Sequence, residues 1–213
     1  MLFELVIFLV LVVIPVAINI REVPARLHDL RAGLRGLIYV PVIVVVLFAV
    51  AIGAWLLARE VPLLQWGWLG QNIIAAPISD LLPAGGGAGP GSGAGGGGAV
   101  PGAPSGNGGV GQELGAELTL AIFVPIMLLA LLLFNFYEEA YYRDSLREVG
   151  IWAALHLIMG IPIFAVIPIF AVGLVYKLIR DRRGLQTAYV AHFATNCTLI
   201  LLMVGAILLG PPA

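Results

Sequence analysis

Charge is scarce in this chain. Only 11% of its 213 residues are Asp, Glu, Lys or Arg, against about 25% in an ordinary soluble domain. Polar side chains could not cover such a chain in water, so the scarcity excludes a conventional soluble fold and points to lipid as the solvent. A basic excess is also lacking: the net charge is −1, without the strongly basic footprint of a nucleic-acid binder. Cysteine is nearly absent. Cys197 alone can form neither an intramolecular disulfide nor a cysteine-based metal cluster, and its apolar surroundings suit an inert buried thiol better than a nucleophile. No Ser-His or Cys-His pair suggests a covalent nucleophile, and no His-Glu-x-x-His helix is present to hold zinc.

What the chain does have is apolar length. Hydrophobic residues make up 61% of it, with a mean hydropathy of +1.04, and a spanning helix needs about 20 of them in a row. Spans are predicted over 1–20, 37–58, from Glu117 or Leu118 to the acidic pair Glu138 and Glu139, and over 185–210. The first has neither a basic leader nor a small-x-small cleavage site, so it reads as an uncleaved helix. Segment 151–176 is apolar but too short for two full crossings, and Gly160-Ile161-Pro162 marks a turn or kink. It reads as a short hairpin or two abbreviated helices; one long kinked helix is the alternative, and charge placement favours the hairpin. Arg21, Arg26, Arg31 and Arg35 fill the first loop, and Arg143 and Arg147 follow the third span. Lys177, Arg180, Arg182 and Arg183 fill the loop before the last. Only Arg59 of the eleven basic residues lies elsewhere. The positive-inside rule puts those three loops in the cytoplasm, which gives six membrane helices with both termini outside.

The expected fold class is therefore an all-α polytopic membrane protein. Residues 1–60 form N-terminal membrane helices with a cytoplasmic Arg-rich loop, 61–117 an external segment, and 118–213 a membrane core. Within the external segment, 63–82 carries Trp66, Trp68 and Pro77 and reads as interfacial or re-entrant. Residues 84–115 hold sixteen of the 27 glycines and one charge, Glu113. That composition cannot bury enough surface to offset its ordering entropy, so it predicts a disordered tether. It is no phosphate loop, lacking a following Lys-Ser/Thr and a flanking strand.

Ionisable residues at membrane depth are costly and mark functional sites. Three groups qualify: EEAYYR with Glu138, Glu139 and Arg143; WAALH with Trp152 and His156; HFATN with His192 and Asn196. Arg143 lies four residues beyond Glu139 and can pair with it, and His192 and Asn196 share a helix face. Glu138 and Glu139 stand about 100° apart around a helix and so cannot share one role. At about 1.5 Å per residue, His156, His192 and Glu138 lie about 9, 11 and 13 Å from their cytoplasmic ends. The three depths agree. Taken singly, each group has a plainer explanation: a charged helix end, a satisfied core histidine, or polar glue between helices. Their joint occurrence favours a site. Tyr141, Tyr142 and Tyr189 suit either its wall or an interfacial aromatic belt, and His28 is given no role.

The chemistry that fits is amide hydrolysis, which needs an activated water, oxyanion donors and a proton for the leaving amine. A carboxylate with a histidine can activate water; histidine and an asparagine amide can donate to the oxyanion. Glu-Glu-x-x-x-Arg, then aromatic-x-x-x-His, then His-x-x-x-Asn, in this order on membrane helices, resembles the CAAX-protease and bacteriocin-processing (CPBP) family of glutamate-type intramembrane endopeptidases. The resemblance covers 118–209, with Trp152 where Phe is common. It implies that Glu138 activates water with His156, that Glu139 and Arg143 support it, and that His192 and Asn196 form the oxyanion site. No cofactor or metal is called for. The partners implied are the lipid bilayer and a membrane-associated protein or peptide substrate, with no nucleic acid. The Gly and Ala content suggests a GC-rich bacterial source and an inner membrane. Two alternatives stay open: a metal-dependent protease using Glu138, Glu139, His156 and His192 as ligands, and a non-catalytic immunity or scaffold protein.

Overall fold

The computed structural model describes Val6, residues 8–67 and residues 116–209, and among these every regular element is helical. The Gly-rich tract 84–115, Trp68 and Pro77 lie outside the described residues, as do residues 1–5 of the first expected span and Gly210 of the last.

A π-helical turn, Leu9–Val13, passes into α1 (Ile14–Asn19), a 3-10 turn (Ile20–Glu22) and α2 (Val23–Ala32). The Arg-rich stretch, expected as a loop, is thus largely helical. Its own sequence explains this: Pro24 sits in the first turn of α2, where a missing N–H costs nothing, and the Gly33 N–H closes the end on the Asp29 and Leu30 carbonyls. A 3-10 stretch, Leu34–Tyr39, then leads into α3 (Val40–Glu60).

α4 (Ala116–Tyr141) covers the third expected span, and α7 (Leu185–Leu209) covers the last. Segment 151–176 is a hairpin of unequal arms. Its first arm is α5 (Leu146–Leu155) with a 3-10 turn, His156–Met159; its second is α6 (Ile163–Arg183). Gly160, at φ 87°, makes the turn between them, a backbone conformation that glycine adopts without steric cost. The second arm is not abbreviated. It runs on through Lys177, Arg180, Arg182 and Arg183, so the expected loop there is the last two turns of a helix. Three arginines occupy the last turn of α6, where cations complement the helix dipole, and the helix stops only at Gly184, φ 89°.

Four helices among the described residues are long and apolar enough to cross a bilayer: Leu34–Glu60, Glu117–Tyr141, Ile163–Arg183 and Leu185–Leu209. Over its described residues the chain is an all-α membrane protein. α5 and its 3-10 turn together reach about 23 Å, short of the hydrocarbon thickness of about 30 Å.

Two apolar clusters hold the bundle. Phe8, Val12, Phe123, Met127, Leu133 and Ile200 join the N-terminal helix to α4 and α7. Ile43, Val172, Tyr176, Ile179, Ala188 and Ala191 join α3, α6 and α7. Near the Arg-rich helix the backbones themselves touch. A Cβ on Gly33 or Gly36 would overlap the carbonyl oxygens of Gln186 and Thr187 on α7, so only glycine permits this approach. At the other end the Ile163 N–H donates to the Trp66 carbonyl at 3.0 Å, which fastens the segment after α3 to the hairpin turn.

Candidate active site

Glu138 and Glu139 lie on the last turns of α4, and their different azimuths give them different surroundings. Glu139 faces the protein interior and is fully buried with Arg143, whose Nη2 lies 3.0 Å from its Oε1. Arg143 stands just beyond the end of α4 rather than on it. Its chain segment is tied to α6: Lys177 Nζ donates to the carbonyls of Arg143 and Asp144 at 3.1 and 3.2 Å. Its guanidinium covers the Trp152 ring, 3.9 Å from the centroid, a cation–π contact strengthened by exclusion of water. Glu138 keeps 28% of its side chain exposed and opens on a cavity.

α5 delivers Trp152 and His156. A capping box starts this helix, with the Glu148 N–H donating to Ser145 Oγ and the Ser145 N–H to the Glu148 carboxylate. Gly173 on α6 makes room for Trp152, since a Cβ there would come within 2.9 Å of the ring. His156 opens the 3-10 turn, and its Nδ1 lies 2.8 Å from the Trp152 carbonyl. A carbonyl can only accept, so Nδ1 holds a proton, and in the neutral ring Nε2 keeps its lone pair.

α7 delivers His192 and Asn196. His192 Nδ1 lies 2.9 Å from Glu139 Oε1, where the carboxylate paired to Arg143 is the acceptor. Its Nε2 lies 3.6 Å from Glu138 Oε2, too far for a hydrogen bond. Tyr176 stacks on the imidazole at 4.4 Å, and Trp152 meets it edge-on at 5.7 Å. Asn196 Nδ2 donates to Asn135 Oδ1 at 3.3 Å.

These side chains surround one cavity of about 560 Å³, lined by Glu138, His156, His192 and Asn196 at its polar end and by residues such as Leu131, Met203 and Leu11 elsewhere. The size suits a small ligand or the side chains around one peptide bond. Glu139 and Arg143 lie behind this lining. The contacts differ in one respect from the expected pairing. No hydrogen bond or ion pair joins Glu138 to His156 among the described residues; the histidine nearest Glu138 is His192. Among the described residues, no group of three or more His, Cys, Asp or Glu side chains is arranged to hold a metal ion.

The chain matches no family model, no curated protein and no solved structure.

The tyrosine of the site is not one of those singled out in the sequence. Tyr141 is 67% exposed; Tyr189 is buried and donates to the Leu132 carbonyl at 2.6 Å; neither of them, nor Tyr142, lines the cavity. Tyr176 does, and so does Asn135. Asn135 was legible in principle, because it is a polar residue inside a span, one turn ahead of Glu139. A search restricted to ionisable groups passes over it. Cys197 is partly buried and does not line the cavity.

Proposed function

We propose that the chain is a glutamate-type intramembrane endopeptidase, of the kind found in the CAAX-protease and bacteriocin-processing family. It would hydrolyse a peptide bond of a membrane-associated protein or peptide. The observation that carries this reading is the convergence of Glu138, His156, His192 and Asn196, from three helices, on one cavity with a buried Glu139–Arg143 pair behind it. Such a set has the parts that amide hydrolysis needs. Glu138 is the cavity-facing carboxylate able to take a proton from water. His156, with Nδ1 fixed by a backbone carbonyl, offers Nε2 as a second acceptor for that water and later as the proton carrier for the leaving amine. Asn196 Nδ2 and His192 Nε2, from two residues of the cavity wall, would be the donors to the oxyanion. Since His192 Nδ1–H is held by Glu139, donation from Nε2 requires the doubly protonated ring. Glu139 and Arg143 fix that imidazole rather than touch substrate.

The apolar remainder of the cavity suits a substrate carrying apolar side chains or a lipid chain near the cut bond. In this reading the site lies in the cytoplasmic half of an inner membrane, with six passes and both termini outside. With Cys197 replaced by serine, cysteines introduced at Leu63 and Arg182 should be labelled from opposite sides of sealed vesicles. Labelling of both from one side would end the topology.

The metal-dependent reading is less well supported, since Arg143 beside Glu139 opposes a divalent cation. Chelator separates the two. Purified protein in detergent should cleave peptides from a membrane-derived library at the same rate with and without EDTA, with products identified by mass spectrometry. Loss of cleavage in EDTA, restored by zinc, would favour the metal enzyme. A Glu138→Gln protein that retains its full effect in cells would favour the non-catalytic reading.

A further inference from the structure

We infer that Asn135 is a positioning residue for this site, whose side-chain carbonyl sets the orientation in which Asn196 donates to the oxyanion. The inference rests on the hydrolase reading and extends it to an uncharged residue outside all three sequence groups. Asn135 sits on α4 one turn before Glu138 and Glu139, is 1% exposed and lines the cavity. Its Oδ1 accepts from Asn196 Nδ2 at 3.3 Å.

An amide nitrogen carries two donor protons. Engaging one of them fixes the amide plane and so sets the direction of the other. Without that anchor the Asn196 amide turns about a broad two-fold torsion and can present its oxygen, an acceptor, where a donor is needed. Among the described residues Asn196 Nδ2 makes no hydrogen bond to the neighbouring hydroxyls of α7, which turn to their own backbone: Thr195 Oγ1 donates to the Ala191 carbonyl at 2.7 Å and Thr198 Oγ1 to the Ala194 carbonyl at 2.8 Å.

A second observation points the same way. Asn135 Nδ2 is buried with no hydrogen-bond partner among the described residues. A half-satisfied buried amide lowers stability, and at a packing position an apolar side chain would serve better. Such local costs are retained where a site needs them. Asn135 thus makes one hydrogen bond from a position where it costs stability, and that bond goes to the proposed oxyanion donor.

The test uses the purified full chain in micelles and a quenched fluorescent peptide selected from a library for Glu138-dependent cleavage. Asn135→Leu is expected to lower kcat about 10²-fold, the scale of losing one oxyanion donor, with KM unchanged and Tm not lowered. Combined with Asn196→Ala, it is expected to be no slower than Asn196→Ala alone, because it acts through that side chain. A purely structural role would lower Tm and add to the second substitution. Asn135→Ser keeps an acceptor oxygen and is expected to stay within about tenfold of the parent. Should the leucine variant fail to fold, Asn135→Ala takes its place in the cycle. Normal kcat in Asn135→Leu, or in Asn135→Ala where it takes its place, overturns the inference alone, and so does a double variant slowed by the product of the two single effects. If the parent cleaves no peptide in a Glu138-dependent way, the hydrolase reading falls and takes this inference with it.

Discussion

Glu138→Gln is expected to reduce peptide cleavage by the purified protein to background, with His156→Ala close behind. The amide is nearly isosteric with the carboxylate and can accept a hydrogen bond, yet it cannot take a proton from water. Binding should therefore survive while chemistry stops, so that kcat falls and KM barely moves. Asn196→Ala should act more mildly, leaving a measurable residue of activity, because one lost oxyanion donor costs about 10²–10³ in rate. His192→Ala should fall between them, since it removes both a donor and the contact that links Glu139 to the cavity. The measurement is steady-state cleavage in micelles with chelator present. Normal turnover by Glu138→Gln would remove the glutamate from the mechanism.

Arg143→Ala should act through stability as well as activity. Glu139 and Arg143 are both fully buried and 3.0 Å apart, and removing one member of such a pair strands the other's charge at a cost of about 3–5 kcal/mol. His192 Nδ1 remains 2.9 Å from Glu139, so the loss should fall near the lower end. The arginine also covers Trp152 at 3.9 Å, which adds a packing loss that lysine would not replace. Thermal unfolding in detergent would read this directly. Adding Glu139→Gln should recover part of the stability without restoring cleavage, because it removes the stranded charge and not the misplacement of His192. A double variant no more stable than Arg143→Ala would show that the charge is not what the arginine compensates.

Sequence alone pointed to the long spans and to the candidate site by different routes. Apolar runs of spanning length are hard to hide, so α3, α4 and α7 fall close to their expected limits. Charge was the misleading signal. Arg21–Arg35 and Lys177–Arg183 read as loops because of their polarity, although Pro24, Gly33 and Gly184 were already present as helix punctuation. The Glu139–Arg143 pair followed from i, i+4 spacing. Which carboxylate meets which histidine did not, because that depends on how α4, α5 and α7 are rotated against one another, and spacing along one helix says nothing of its neighbours. The same limit hid Tyr176 and the partner of Asn135, which appear only once α7 is seated against α4 and α6.

The glycine contact between the Arg-rich helix and α7 bears on how the protein is made. Gly33 and Gly36 meet Gln186 and Thr187 backbone to backbone, so the first of these two segments to leave the ribosome waits for the other. Contacts this distant in sequence form late and slowly. His192 and Asn196 ride on the same late helix. A nascent chain stalled anywhere before residues 185–209 would carry its glutamates into the membrane without the partners proposed to make them reactive. Assembly of the bundle and onset of the proposed activity would therefore be the same event, sparing the translocation machinery a half-built hydrolase in its midst.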